Sequence, residues 1–374
     1  MYLDYAATTP VDPRVLAAIL PYFTEHSGNA SSMHAFGQEA RSAVDRARVE
    51  VASQLGARPG EIVFTSGATE ADNLAVAGVA LARGRHVVTS TIEHHAIHES
   101  CHFLQERGYE VTMVPVGSSG IIDPDDVRRA LRPDTSLISI MAANNEIGTL
   151  QPVAEIGAIA REHGVPFHTD ATQWVGALPA RVNDLKVDLL SLSAHKRYGP
   201  KGVGALYVRT GTPLVPLQRG GGHERGRRGG TENVPGIVGL GEALRIAGLE
   251  MDGEAERLSA LRDRLIAGAL AIPGVALNGD PARRLPNNVN VSIDGTDSQS
   301  LVIALDLRGV AVSAGSACSS GTLEASHVLT ALGLPPERAA SAVRLTLGRP
   351  TTAAEVGTAL DVLRTVVAQL RRAA

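Results

Sequence analysis

A lysine that directly follows a predicted strand carries the most specific chemical signal in this sequence. Lys196 comes three residues after an apolar segment, Asp188–Ser193. Removing an ammonium group from water lowers its pKa, and a neutral lysine amine can form a Schiff base. Asp170 stands 26 residues earlier at another predicted strand end, where its carboxylate could pair with a protonated pyridine nitrogen. Together they indicate pyridoxal phosphate; the alternative is that Lys196 and Arg197 form an ordinary basic loop.

Polar residues follow five predicted strands, each at the point where the strand ends. Ligands bind outside the carboxyl ends of the strands in an open parallel sheet, so this pattern favours a polar, phosphorylated ligand. The turn Ser66-Gly67-Ala68-Thr69 also begins a helix, whose free N–H groups favour an anion, although an ordinary helix cap explains it equally well. The five predicted strands are Glu61–Phe64, His86–Ser90, Ser136–Met141, Val165–Asp170 and Asp188–Ser193.

A second candidate nucleophile, Cys318, lies in a segment of small residues, from Ser313 to Gly321. We expect its thiol to be exposed and able to travel, and a cationic site would raise the fraction of thiolate. The alternative is a loop cysteine without a role. Arg344 lies between apolar neighbours on a predicted strand and needs a carboxylate partner, from either the protein or a substrate.

Two further patterns suggest other functions. His94, His98 and His102 recur every four residues beside Cys101, which invites a zinc site. The first and third of these histidines would lie about 12 Å apart on a helix, so one ion could not bind both. The arginine- and glycine-rich segment 219–231 resembles an RNA-binding sequence. We favour a mobile loop that folds over an anionic ligand, and keep an RNA-binding or sulfur-carrier module as the rival hypothesis.

Composition excludes several classes of protein. The 374 residues carry a net charge of −4 and only 3% aromatic residues, which argues against binding to nucleic acid through bulk charge or stacked rings. Two cysteines cannot form a disulfide framework, and the N-terminus does not read as a signal peptide. The longest apolar run, Leu74–Ala82, is nine residues, about half of the ~18 that a membrane span needs. We therefore expect a cytoplasmic protein.

Strands and helices alternate from about residue 61 to 210, which predicts an α/β fold with a mostly parallel, doubly wound sheet. After residue 236 a long helical stretch, Ile237–Ala271, and several shorter elements predict a second, smaller α+β domain.

The sequence resembles the class V aminotransferase family of pyridoxal-phosphate enzymes, and within it the cysteine desulfurases of the NifS/IscS type. The resemblance covers essentially the whole chain, and its motifs occur in order. They are Tyr2-Leu3-Asp4-Tyr5-Ala6-Ala7-Thr8-Thr9-Pro10, Thr65-Ser66-Gly67-Ala68-Thr69-Glu70, Asn144-Asn145-Glu146-Ile147-Gly148, Asp170-Ala171-Thr172-Gln173, Ser193-Ala194-His195-Lys196, Gly220-Gly221-Gly222-His223-Glu224, Gly315-Ser316-Ala317-Cys318 and Arg344-Leu345-Thr346-Leu347-Gly348-Arg349.

The resemblance implies a fold-type I enzyme, with a large domain at 12–250 and a small domain formed by 1–11 and 251–374. It also implies a role for each matching residue. Lys196 would hold the cofactor covalently and move the Cα proton, His94 would stack on the ring and assist proton transfer, and Cys318 would be the nucleophile. Asp170 would pair with the ring nitrogen and Gln173 with the phenolic oxygen. Ala68 (through its backbone), Thr69, Ser193 and His195 would hold the phosphate, with Thr231 from a second subunit. Asn145 and Arg344 would bind the region of the substrate carboxylate, and Asn145 would also contact the cofactor.

The activity implied by the resemblance is conversion of L-cysteine to L-alanine, with the sulfur carried as a persulfide on Cys318 to an acceptor protein. The chain ends at Ala374, without the longer tail by which IscS-type relatives dock an iron–sulfur scaffold. Iron–sulfur cluster assembly, tRNA thiolation and DNA phosphorothioation therefore all stay open as the pathway. The expected partners are L-cysteine and a second copy of the chain, without direct contact to nucleic acid or membrane and without a metal. The alternative activity is that of a selenocysteine lyase or another class V pyridoxal-phosphate enzyme.

Overall fold

The computed structural model describes residues 1–314 and 326–373, so Cys318 lies outside the described residues. The described residues form eleven strands and eleven α-helices. The strands are β1 Ile62–Thr65, β2 His86–Ser90, β3 Glu110–Val114, β4 Thr135–Ser139, β5 Phe167–Asp170, β6 Leu189–Ser193, β7 Gly204–Val208, β8 Val275–Leu277, β9 Asn288–Ile293, β10 Ser313–Ala314 and β11 Ala342–Thr346. The helices are α1 Pro13–Ile19, α2 Ala35–Leu55, α3 Ala68–Arg83, α4 His95–Gln105, α5 Pro124–Ala130, α6 Val153–Glu162, α7 Val234–Leu270, α8 Ser298–Asp306, α9 His327–Ala331, α10 Pro336–Ala340 and α11 Ala353–Ala373.

The larger sheet has seven strands in the order β1-β7-β6-β5-β4-β2-β3. Strand β7 runs antiparallel to both of its neighbours, and the other pairs are parallel. Because β7 is antiparallel to both β1 and β6, these two strands point the same way. Six carboxyl ends therefore meet at one edge. The mostly parallel sheet predicted from the alternating pattern is confirmed.

Helices cover both faces of this sheet, as the side-chain alternation of the strands requires. Leu189 in β6 packs into a core with Leu74 of α3 and Leu104 of α4. Its neighbour Leu190 points the other way, into a core that includes Val44 of α2. Successive side chains of a strand point to opposite faces, so a fully buried strand such as β6 needs helices on both faces of the sheet. The result is a doubly wound α/β layer.

The smaller sheet has the order β10-β11-β9-β8, and all its pairs are antiparallel. Helix α7 connects the two layers, since Leu240 belongs to the core of the large sheet and Leu265 to the core of the small one. The N-terminus joins this second core through Leu3. Within the part of the chain that the structure describes, no helix is long and apolar enough to cross a membrane.

Candidate active site

A cavity of about 560 Å³ lies at the edge where the parallel strands of the large sheet end. It brings together side chains from five strand ends, the start of α3, the N-terminal segment and β11. Of the residues predicted for the site, ten line it: Ala68, Thr69, His94, Asn145, Asp170, Gln173, Ser193, His195, Lys196 and Arg344. The strand-end prediction therefore places these groups together, even though they are spread over 277 positions of the sequence.

The first turn of α3 is open towards the cavity. Its cap residue, Gly67, has no side chain to accept hydrogen bonds from the N–H groups that begin the helix, and Ala68 and Thr69 line the cavity. Strand β7 passes close by at Gly204, where a Cβ would lie 2.7 Å from the Gly67 carbonyl carbon. Uncapped N–H groups and the positive end of the helix dipole make this turn a site for an anion such as phosphate.

Lys196 lies on a single 3-10 turn, Ala194–Lys196, that follows β6 directly. Its Nζ donates hydrogen bonds to the carbonyl oxygens of Ala6 and Ala7, each at 2.7 Å. These carbonyls belong to the N-terminal segment, which is held on the small sheet by the hydrogen bond from Thr346 N to Leu3 O at 2.7 Å. The amine is therefore positioned by the packing of the N-terminus against the small sheet.

Asp170 ends β5 and accepts a hydrogen bond from the backbone N–H of Thr172 at 2.9 Å. Gln173 lies one turn later, and its Nε2 donates to the Ala6 carbonyl at 3.0 Å. Ala6 thus accepts hydrogen bonds from both Gln173 and Lys196. This shared acceptor places the Gln173 amide near the Lys196 amine in the wall of the cavity.

Two histidines of the cavity are neutral at physiological pH. His94 begins α4, and its Nδ1 accepts a hydrogen bond from Ala96 N at 3.1 Å. Burial lowers the pKa of His94, with Asp170 acting in the opposite direction. Burial, together with nearby Lys196, also lowers the pKa of His195 to about 4. His195 Nδ1 lies 3.1 Å from Thr8 Oγ1. A neutral His94 retains one N–H, which suits it to proton transfer.

Arg344 reaches the cavity from β11 and is only 1% exposed. Its Nη2 pairs with Asp4 at 2.8 Å, and its Nη1 donates to the carbonyl of Asn145 at 2.9 Å. The Nε has no hydrogen-bond partner among the described residues, although it is buried. The carboxylate partner that the sequence required is thus Asp4 in this structure, and a substrate carboxylate would join an arginine that is already anchored.

Thr231 is exposed and does not line the cavity of its own chain. The arginine- and glycine-rich segment around it is anchored rather than detached. Buried Glu224 pairs with Arg48 at 2.7 Å, and Arg228 pairs with Glu70 at 2.9 Å. No residue of the segment 219–231 lines the cavity. Folding of this segment over an anionic ligand stays a prediction.

The histidines considered for zinc lie in different environments. His98 Nε2 lies 3.0 Å from the Ser90 carbonyl, while His102 is exposed. In residues 1–314 and 326–373, no group of three metal-ligand side chains is arranged to hold an ion. Cys101 is fully buried, and burial raises the pKa of its thiol to about 12, so it packs as a small apolar side chain, as predicted.

Several further residues, to which the sequence alone assigns no role, also line the cavity, among them Thr8, Asp72 and Lys201. Asp72 was detectable in principle, because it follows Ala68 by four residues and so shares its face of α3. Thr8 and Lys201 stand in segments without regular structure, so no periodicity indicates where they point.

The donor set of the cavity fits pyridoxal phosphate. The open turn of α3 suits the phosphate, the Asp170 carboxylate suits a protonated ring nitrogen, and the Lys196 amine suits the aldehyde. Fold and cavity together define a pyridoxal-phosphate enzyme of fold type I. Residues 1–358 match the sequence profile of the family Aminotransferase class-V. The chain belongs to this family.

Individual relatives of this chain include a cysteine desulfurase. The chain is 52% identical to the cysteine desulfurase IscS of Dictyoglomus turgidum, covering 99% of this chain and 95% of the relative. A solved NifS-like protein superimposes with a TM-score of 0.92 at 38% identity over 99% of both chains. A structure of SspA in complex with cysteine has a TM-score of 0.82 at 40% identity and covers 92% of this chain and 98% of that one.

Proposed function

We propose that this protein is a pyridoxal-phosphate-dependent cysteine desulfurase, which converts L-cysteine to L-alanine and passes the sulfur on as a persulfide. The observation that carries the proposal is one cavity lined by the Lys196 amine, the Asp170 carboxylate and the Arg344 guanidinium. These groups would serve the cofactor aldehyde, its ring nitrogen and an amino-acid carboxylate. The relative from Dictyoglomus turgidum, which matches 99% of this chain, is a cysteine desulfurase.

Binding of the amino acid falls to Arg344 and Asn145. The contact of Arg344 with Asp4 and with the Asn145 carbonyl fixes the guanidinium before substrate arrives. A fixed guanidinium loses little side-chain entropy when it binds a carboxylate. The substrate is thereby held with its Cα hydrogen near the Lys196 amine, which lines the same cavity.

Pyridoxal phosphate, when bound, supplies a ring that withdraws electrons and makes the Cα proton of the attached amino acid acidic. The residues of the chain then handle the protons. Lys196 Nζ takes the Cα proton as general base, and the Ala6 and Ala7 carbonyls keep this amine at a fixed position. His94 is neutral, so it can exchange a proton with the substrate without first losing one to solvent.

Sulfur transfer needs a thiolate, and we assign it to Cys318. Its sulfur attacks the substrate sulfur, the new S–S bond forms, and the Cβ–S bond of the substrate breaks. The electron pair of the broken bond stays with carbon and is protonated, so that alanine leaves. A thiol and cysteine thus become a persulfide and alanine, and no outside oxidant is required.

The same proposal includes a homodimer in which Thr231 completes the phosphate site of the partner. Thr231 is exposed in its own chain, and apolar side chains of Phe23, Met33 and Phe36 are also exposed. We further propose a cytoplasmic location, where thiols stay reduced. The acceptor is a protein of iron–sulfur cluster assembly, tRNA thiolation or DNA phosphorothioation; trapping the Cys318 thiol as a mixed disulfide with its partner identifies which one.

The test is a product assay on three proteins: the wild type, Cys318→Ala and Cys101→Ala. With cysteine and a reductant, the wild type and Cys101→Ala should release equal amounts of alanine and sulfide, and Cys318→Ala should release neither. Full sulfide release by Cys318→Ala would overturn the assignment of the nucleophile. Keto-acid exchange, or a strong preference for selenocysteine with Cys318 dispensable, would indicate the alternative class V activity.

A further inference from the structure

Asp72 is a buried acid in the wall of the cavity to which the mechanism above gives no role. It lies in the second turn of α3 and is 1% exposed. Its Oδ1 has no hydrogen-bond partner among the described residues. A hydrogen bond with the Ser191 hydroxyl favours the ionised form of Asp72 but supplies no counter-charge, so a buried carboxylate at this position needs either a cation nearby or a proton on the acid.

The basic group next to Asp72 is His168, and it does not supply a positive charge. His168 Nε2 lies 3.7 Å from Asp72 Oδ1. Both ring nitrogens of His168 lie 2.9 Å from serine hydroxyls, those of Ser139 and Ser191. Burial lowers the pKa of His168 to about 3, so the ring is neutral. Hydroxyls can both donate and accept, which suits a neutral ring between them.

Two other acids surround Asp72 and make a second negative charge there still more costly. Asp170 follows His168 by two residues in β5, so both side chains lie on the face of the sheet that α3 covers. Burial and the nearby Asp170 raise the pKa of Asp72 well above its usual range. Glu93, which is also fully buried, has its pKa raised by burial to about 8. Burial therefore disfavours a negative charge on both Asp72 and Glu93.

We propose that Asp72 is a positioning residue that carries a proton at neutral pH and thereby leaves the negative charge of this wall to Asp170, the acid that holds the cofactor ring nitrogen. The inference rests on the proposed function, since it assigns Asp170 that role. A protonated Asp72 is a hydrogen-bond donor in the same cavity wall as Asp170, and it adds no second negative charge to that wall. Position 72 therefore requires a neutral side chain that donates a hydrogen bond, and asparagine also provides one.

Infrared spectroscopy tests the protonation directly. Wild-type holoenzyme and Asp72→Asn are prepared with ¹³C at the side-chain carboxyl of aspartate, so that Glu93 does not contribute to the labelled band. The wild type at pH 7 should show the labelled C=O stretch of a protonated acid, and Asp72→Asn should lack it. Absence of the band in the wild type, or its persistence in Asp72→Asn, would overturn the proposal.

Cofactor titration tests the consequence, with absorbance of bound pyridoxal phosphate and the pH dependence of its spectrum as readouts. Asp72→Ala, which removes the donor, should bind the cofactor about tenfold more weakly, and Asp72→Asn should recover most of that loss. Equal loss in both folded variants would overturn the proposal, because it would mean that a carboxylate is needed. If Asp72→Ala does not fold, Asp72→Asn and the infrared band decide. Failure of the wild type to bind pyridoxal phosphate would instead contradict the proposed function.

Discussion

The guanidinium of Arg344 and the carboxylate of Asp4 form an ion pair at 2.8 Å across the wall of the cavity. The two residues are 340 positions apart and belong to β11 and to the N-terminal segment. Arg344 also holds the Asn145 carbonyl, so one buried cation connects three segments of the chain. The substrate site and the packing of the N-terminus therefore depend on the same pair.

Asp4→Asn should destabilise the protein by about 3 kcal/mol, because it leaves a buried arginine without its counter-charge. Urea denaturation measures the loss. The matched control is Asp361→Asn, which removes a carboxylate that is 77% exposed and paired with Arg364 on α11. Such surface pairs contribute at most about 1 kcal/mol. Equal effects of the two substitutions would show that the Arg344 pair is not the anchor described here.

Glu146 should make the stability depend on pH between 4.5 and 7. Burial raises the pKa of Glu146 from 4.5 to about 7, with Ser326 and Arg344 acting in the opposite direction. The folded state therefore holds a proton that the unfolded chain loses above pH 4.5. Relative to Glu146→Gln, the free energy of unfolding of the wild type should fall by about 3 kcal/mol across this window and then level off. Parallel stability curves for the two proteins would contradict the assignment.

Gly204→Ala should weaken cofactor binding, because its Cβ would meet the Leu192 carbonyl oxygen at 2.6 Å and the Gly67 carbonyl carbon at 2.7 Å. These are backbone atoms, so the turn proposed to receive the phosphate must shift. We expect at least a tenfold rise in the dissociation constant of pyridoxal phosphate, or about 1.4 kcal/mol, measured by absorbance titration. Gly60→Ala is the control, because nothing lies within 4 Å of its added Cβ. An unchanged affinity in Gly204→Ala would rule out the phosphate site proposed at this turn.

Mixed dimers test whether Thr231 serves the partner subunit. Thr231→Ala should bind the cofactor about tenfold more weakly, since a hydrogen bond to a charged phosphate is lost. Lys196→Ala should lose the covalent attachment. A heterodimer of the two variants, purified through separate tags, should contain one fully wild-type site per dimer. If Thr231 acts within its own chain, no wild-type site forms and tight covalent binding is not recovered.

The sequence was informative wherever strand ends determine position. Lys196, Asp170 and His94 follow strands that run parallel, so the topology alone brings them to one edge. It was less informative for α2. Val44 and Val51 of this helix recur at helical spacing, but its many alanines give only a weak contrast in hydrophobicity between its faces. The five predicted strands begin and end within two residues of those observed, and helix α7 begins three residues earlier than predicted.

Other features require knowledge of packing that no pattern provides. The partner of Arg344 could not be chosen between protein and substrate, since Asp4 reaches it only through the fold. Asp72 lies on a helix whose orientation over β5 decides whether its acid is buried. A domain boundary at residue 250 falls within α7, one helix that packs into both cores, and it stays a prediction. The contribution proposed for Thr231 would come from a second chain.

The most direct test of the account is to locate the cofactor after reduction with borohydride, which makes its attachment to an amine permanent. The chain has only three lysines, Lys186, Lys196 and Lys201, and the last of these also lines the cavity. Peptide mass spectrometry should find the pyridoxyl group on Lys196 and on neither of the others. A group on Lys201, or no group on protein supplied with pyridoxal phosphate, would contradict the account.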